Sequence, residues 1–331
     1  RYHKVTGVQT CALPIFRVGA EYDGKILREL LQRQLRLSGS FLRHLKFCED
    51  GILLNGEPAT VRKILHTGDL LTLAVEDRAP QEKLEPVPLA LPLVYEDEDV
   101  AVPDKPAGMP THPSCNHHDD TVANALAYYY REAEIPFVFR PVNRLDRNTS
   151  GLLLVARNRI AAARLAGAMQ RREIHKQYLA VLDGVPEAPS GTIRTWMRRT
   201  RQSVILRENC PEGQGELALT EYRVLCRSGD HALVLASPLT GRTHQLRVHF
   251  AGIGAPITGD DLYGTPSGQI GRHALHACTL SFPHPADNRR ISLYAPLHED
   301  MRRLTESFFG REECLALEDL FSVSASVFPE K

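Results

Sequence analysis

Residues 77–92 hold Pro80, Pro86, Pro88 and Pro92 among charged side chains. Proline fixes its own φ and lacks a backbone N–H, so such a stretch suits neither a helix nor a central strand and reads as a semi-rigid linker. It divides the 331-residue chain into a short module, 17–76, and a long one, 93–309, followed by a tail, 310–331. At 43% apolar residues both modules can bury a core. No apolar run reaches the roughly 18–20 residues of a membrane-spanning helix, and a membrane protein is not expected. The seven cysteines include no C-x-x-C pair, which argues against a disulfide framework or a zinc ribbon and for a reducing cytoplasm. Residues 5–15 resemble a common sequencing-adapter oligonucleotide translated in frame, so residues 1–16 are set apart as an artefactual leader.

The short module is expected to be α+β. Ile26, Leu27, Leu30 and Leu31 stand at helical spacing, and Ser38 or Ser40 can cap a second helix through Phe41, Leu42 and Leu45. Strands follow: Ile52, Leu53 and Leu54 run into the tight-turn pair Asn55-Gly56, and Thr67-Gly68-Asp69 leads into an apolar strand over 70–75. Lys25, Arg28, Arg33, Arg36, Arg43 and Lys46 are opposed locally by Glu29 alone. This pattern resembles an S4 RNA-binding domain, in which a pair of helices presents basic side chains. The resemblance makes Lys25, Arg28, Arg36, Arg43 and Lys46 candidate RNA contacts.

In the long module, apolar segments over 93–95, 151–156, 178–181, 232–235 and 290–294 alternate with turn-rich stretches. Helical patterns occupy 121–132 and 160–170. The expected architecture is α+β on a mainly antiparallel sheet. The chain carries no net charge, yet residues 140–207 hold thirteen arginines and one lysine against four acids, a plausible phosphate-facing surface.

Residues 143–157 read NRLDRNTSGLLLVAR: a carboxylate, Asp146, between Arg144 and Arg147, then Thr149-Ser150-Gly151 and a buried strand. Two flanking guanidinium groups favour the ionised carboxylate, and alone this could be a structural ion pair. Other motifs stand around it in order: Asp104-Lys105-Pro106-Ala107-Gly108 before, then Lys176-Gln177-Tyr178, Thr240-Gly241-Arg242-Thr243-His244-Gln245-Leu246-Arg247 and Gly259-Asp260-Asp261-Leu262-Tyr263-Gly264. Across residues 93–301 the set resembles the RluA family of pseudouridine synthases. The resemblance implies the pseudouridine synthase fold and isomerisation of uridine in structured RNA, ribosomal RNA before transfer RNA, by a monomer. It implies Asp146 as the catalytic carboxylate, Tyr178 beneath the flipped uracil, Arg247 paired with Asp146, and Arg144 entering the RNA where the base leaves. Arg147, Lys176, Arg242 and His244 join the expected RNA contacts. Asn143 stands where many members have His, and Ala255 where Gly-His-Pro is usual; both bear on subfamily and target.

The chemistry can be reasoned beside the resemblance. Isomerisation breaks the bond from ribose to a uracil nitrogen, turns the base and joins the sugar to a ring carbon, without net redox change, so no cofactor is expected. Glycoside hydrolysis uses two carboxylates, whereas these motifs offer one. Extruding a base costs a few kcal/mol, which aromatic stacking and a basic surface can offset. His112, Cys115, His117, His118, Asp119 and Asp120 gather possible metal ligands, but Pro110, Pro113 and the irregular spacing argue against zinc. Two alternative functions are a non-catalytic RNA-binding or ribosome-associated protein of this fold and, more distantly, a metal-dependent hydrolase.

Overall fold

The computed structural model describes residues 15–35, 37, 39–45, 51–73, 84–114 and 116–312. The chain begins with strand β1 (Ile15–Arg17), a short helix α1 (Leu27–Glu29) that widens into one broader turn over Leu30–Gln34, and α2 (Gly39–Leu45). Strands β2 (Ile52–Leu54), β3 (Glu57–Pro58) and β4 (Leu70–Leu73) complete a sheet ordered β1-β4-β2-β3. The β2–β3 hairpin closes through Asn55 and Gly56, both at positive φ, as the Asn-Gly pair predicts. Leu27, Leu30, Leu31, Leu65, Leu71 and Leu73 form an apolar core. Two boundaries shift: Ile15 and Phe16, assigned to the leader, pair with Thr72 and Leu71, and the proposed Ser38 and Ser40 caps lie outside the described side chains.

The large unit is a mixed, mainly antiparallel sheet with few helices. It contains β5 (Leu93–Glu96), β6 (Val100–Lys105), α3 (Val122–Glu132), β7 (Arg140–Pro141), β8 (Ser150–Leu152), β9 (Val155–Ala156) and α4 (Arg159–Gln170). It continues with β10 (His175–Asp183), β11 (Ser190–Arg199), β12 (Arg207–Cys210), β13 (Glu216–Ser228), β14 (His231–Pro238), α5 (Gln245–Gly252), β15 (Leu275–Pro283), β16 (Arg290–Tyr294) and α6 (Glu299–Phe309). The strand order is β12-β11-β13-β14-β10-β15-β8-β6-β9-β7, with β16 on β15 and β5 on β6. Only β8 against β15 is parallel among the described pairs. The strand expected over 151–156 is broken: β8 pairs with β15 and β6, while β9 pairs with β6 and β7. Gly151, at φ +107, lets β8 approach β15, since a Cβ there would meet the Ala277 carbonyl oxygen at 2.2 Å.

Helix α3 starts at a capping box of Thr121 and Asn124, and α4 at Asn158, whose side chain accepts from Ala161 N. The described half of the proline-rich segment is not free chain. Leu84 is buried in the main core, Val87 N donates to Asn124 O, and Asn124 Nδ2 donates to Glu85 O. The two units also touch directly. Ile160 of α4 is buried in the core of the N-terminal module, and Arg164 Nε donates to Leu35 O at 3.1 Å.

Candidate active site

Asp146 sits in the connection from β7 to β8, and the backbone on both sides of it is fixed from below. Thr111 Oγ1 donates to Leu145 O at 2.9 Å. Lys105, wholly buried, points its ammonium at three carbonyls, those of Pro106, Met109 and Arg147, at 2.8–2.9 Å. Arg272 Nη1 donates to Asn148 O at 3.0 Å. Thr149 Oγ1 lies 2.9 Å from His273 Nε2. Ser150 Oγ accepts from Arg272 Nη2 and lies 2.9 Å from His276 Nδ1. Because His276 Nε2 faces the Ala295 carbonyl at 3.1 Å, that nitrogen carries the hydrogen, and Ser150 donates to Nδ1. Asp300 holds Arg272 in turn, at 2.6 Å. Leu145, Arg147, Asn148, Thr149 and Ser150 thus each have a fixing partner, Asp146 O accepts from Thr149 N at 3.1 Å, and the Asp146 carboxylate is left to the space above.

That space is a cleft of about 450 Å³ lined by Asp146, Arg144, Tyr178, Lys176, His244 and Arg247 among others, within the size range of ligand pockets. Asp146 is the only acid among the lining residues. The charge of Asp146 is felt by Lys105, Tyr178, His244 and Arg247. Tyr178 comes from β10 at a bulge in its pairing with β15, an irregularity of the kind that re-aims a side chain. Burial raises the Tyr178 hydroxyl well above its ordinary pKa, with Asp146 adding to the effect. Burial lowers Lys176. Burial also pushes Lys105 down to about 7, with Arg272 assisting and Asp146 and Asp104 opposing. His244 has positive φ, 57°, at the start of α5, and its Nδ1 lies 2.9 Å from Tyr263 Oη. Burial lowers its pKa, and Arg247 and Arg207 act in the same direction. Gln245 fixes the preceding turn by accepting from Thr240 Oγ1 and Arg242 N and donating to Leu219 O.

One expectation about Asp146 needs correction. Arg247 reaches the cleft, but its guanidinium forks onto Asp260 at 2.6 and 2.7 Å and reaches Asp261 at 3.2 Å. It affects Asp146 through its charge rather than through a hydrogen bond. The fork is occupied because Asp260, on the turn after α5, is fully buried and needs a cation. Arg144 and Arg147 form no ion pair with Asp146: Arg144 is exposed on the cleft wall, and Arg147 turns outward to His117 at 3.3 Å without lining the cleft. Arg242 lines the cleft while donating to Leu217 O and to Glu216 at 2.6 Å. In the other unit Lys25, Arg28 and Arg43 are exposed and none lines the cleft; Arg36 and Lys46 lie outside the described residues. His117 pairs with Asp120 at 2.6 Å, and no group of three metal-ligand side chains forms among the described residues. Sequence reasoning gave no role to Asp260, Tyr263, Lys105 or Arg272. The first three stand in quoted motifs, whereas Arg272 carries no local signal.

A model of the RNA pseudouridylate synthase family matches residues 99–252. The Bacillus subtilis protein named Uncharacterized RNA pseudouridine synthase YjbO is 36% identical over 271 residues, 82% of this chain and 95% of that protein. Ribosomal large subunit pseudouridine synthase D of Pseudomonas aeruginosa is 33% identical over 334 residues, 92% of this chain and 99% of that protein. Among solved structures, Human RNA Pseudouridylate Synthase Domain Containing 1 superposes with a TM-score of 0.56 at 29% identity, over 73% of this chain and 97% of that one. The sheet with its central cleft is the pseudouridine synthase fold. The chain belongs to the RNA pseudouridylate synthase family and isomerises uridine to pseudouridine in RNA.

Proposed function

We propose that Asp146 is the carboxylate that carries the isomerisation and that the substrate is ribosomal RNA. The observation that carries this reading is the isolation of Asp146: the sole acid of the cleft, with its neighbours' backbone tied down and its own carboxylate uncommitted. An ionised carboxylate there acts on the ribose as the uracil leaves as an anion. The base turns within the cleft and rejoins the sugar through its ring carbon. The carbon-bound proton is then lost, and the freed nitrogen gains one. Tyr178 supplies the aromatic wall for the extruded base. Arg247 lends positive charge near Asp146 while Asp260 fixes its position. Lys176, Arg242, His244, Arg144 and Arg147 contact the strand around the cleft. For Arg242 a phosphate must compete with Glu216 in an exposed pair, which is weak enough to exchange. The ribosomal substrate is inferred from the name of the Pseudomonas relative.

The N-terminal module, ending near residue 76, acts on this reading as an S4-like RNA-binding unit, with Lys25, Arg28 and Arg43 on its exposed side. The catalytic unit is 93–309, joined by a segment that docks on α3. A monomer is the oligomeric state expected on this reading. Cys210 and Cys278 are free thiols, which suits the cytoplasm, and no described helix is long and apolar enough to cross a membrane. The test is pseudouridine mapping of ribosomal and transfer RNA from cells lacking the gene, restored with the wild type or with Asp146→Asn. One or more ribosomal positions should disappear and return with the wild type alone. Return with Asp146→Asn, or loss confined to transfer RNA, would contradict the respective half of the reading.

A further inference from the structure

Between β11 and β12 the chain makes a loop, 200–206, whose tip carries the most exposed large apolar side chains of the described residues: Val204 at 75% and Ile205 at 57%. Scattered exposed apolar residues need no explanation, but this loop is built to present them. Thr200 N donates to Leu206 O, and Ser203 Oγ accepts from Ile205 N and Leu206 N at 3.1 and 3.3 Å. Arg207 Nη1 then lies 2.9–3.3 Å from the carbonyl oxygens of Val204, Ile205 and Leu206. One guanidinium therefore fixes three consecutive peptide units and turns the two side chains outward.

The loop is also attached to the active site. Arg207 N donates to Tyr263 Oη at 2.8 Å, and the same oxygen lies 2.9 Å from His244 Nδ1 on the cleft wall. The end of the loop is thus two hydrogen bonds from the place where the target base must sit. Its flanks are basic: Arg199 and Arg201 are exposed and carry no ion pair among the described residues.

We propose that loop 200–206 is an apolar wedge that packs Val204 and Ile205 against the nucleotide next to the extruded uridine, holding the strand open at the mouth of the cleft. Extrusion leaves a neighbouring base with an uncovered face, and apolar side chains inserted at such a step compensate the lost stacking. Arg199 and Arg201 supply the attraction to phosphate that selects RNA as the occupant. Because the backbone is already fixed, little ordering is required on binding. The assignment rests on the reading that RNA enters the Asp146 cleft.

The experiment uses the full chain with Val204→Ser and Ile205→Ser combined, a change that keeps every charge and every backbone bond of the loop. The probe is a stem-loop transcript around the mapped uridine, with 2-aminopurine at the adjacent position. Wild-type binding should raise the 2-aminopurine fluorescence. The double variant should lose most of that rise and about tenfold in kcat/KM, with its melting temperature and the salt dependence of binding unchanged. Arg207→Gln, which frees the three carbonyls, should give the same defect in smaller degree. Asp146→Asn should keep the fluorescence rise while losing isomerisation, so failure of the wedge and failure of the active-site reading are separable. Unchanged kcat/KM and fluorescence in the double variant would overturn the wedge. So would a change from dimer to monomer in sedimentation, which would assign the apolar pair to a contact between copies.

Discussion

The two units of this molecule bury different things. The buried core of the N-terminal module is aliphatic, with Phe16 and Tyr22 packed at its edge, and none of its described polar or charged residues is buried. The catalytic unit buries Lys105, Arg247, Asp260, Arg272, His249, His273 and His276 among its apolar residues. Apolar burial is non-directional and tolerates rearrangement, whereas buried polar groups are costly unless every partner is in place. On the proposed function, the first unit needs only to present positive charge, while the second must hold one carboxylate in one position. Its buried polar network is where that position is set.

The sharpest way to break the comparison is to remove a partner inside the network. Asp260→Ala leaves Arg247 buried without its main counter-ion, since the two side chains are 0% and 5% exposed. Unfolding by urea should show a loss of about 3–5 kcal/mol, with isomerisation lost as well. A change below about 1 kcal/mol would mean that the pair is not a structural element of the site.

Acid should next distinguish the units. Burial pushes His249 and His276 down to about 4 and His273 to about 3. Between those values and the ordinary value near 6.5, the unfolded chain binds protons that the folded chain does not, so stability falls as pH drops through that window. It is complete above about 6.5. At about 1.36 kcal/mol per pKa unit this is about 3 kcal/mol for each ring, so several kcal/mol should be lost for the catalytic unit by pH 4. In the N-terminal module His66 is exposed. Tryptophan fluorescence reports the catalytic unit, because the one tryptophan is Trp196 on β11. A flat profile from pH 7 to 4 would contradict the neutral, buried state of these rings.

Smaller effects should follow from surface charge. Deleting the N-terminal module would uncover Ile160, so substitution is the cleaner test. Lys25→Gln, Arg28→Gln and Arg43→Gln together should raise the half-saturating RNA concentration and flatten the log–log salt slope by up to about 3, with maximal rate unchanged. A lower maximal rate with unchanged binding would make the module a support for the cleft. Exhaustive chelation should have the smallest effect, none on rate; loss restored by zinc would revive a metal role for the His117 loop.

Much of the fold was legible in the sequence where the signal is local. The Asn55-Gly56 hairpin, the helix over 121–132 and the strands over 178–181 and 232–235 follow from turn chemistry and periodicity. Helix α5 was not anticipated, since Gln245, Arg247 and His249 alternate with Leu246, Val248 and Phe250 at the period of a strand, and all six are buried. Asp146 was legible because it stands within a run of ordered motifs. Its surroundings were less so. Arg247 finds Asp260 rather than Asp146, and Arg272 finds Asn148, through contacts that depend on the assembled sheet. The linker was read from its prolines, but the burial of Leu84 in the main core and the bond from Val87 to α3 required the assembled surface.

The most direct test of the account is release of the carbon-bound uracil proton from labelled RNA by Asp146→Asn, measured beside RNA affinity and thermal stability. The substitution keeps the shape of the side chain and leaves the fixed loop intact, since no hydrogen bond among the described residues uses that carboxylate. Proton release should fall to background, while affinity stays within about twofold of wild type and melting is unchanged. Release near the wild-type rate would show that the chemistry belongs to another group and would contradict the central role given to Asp146.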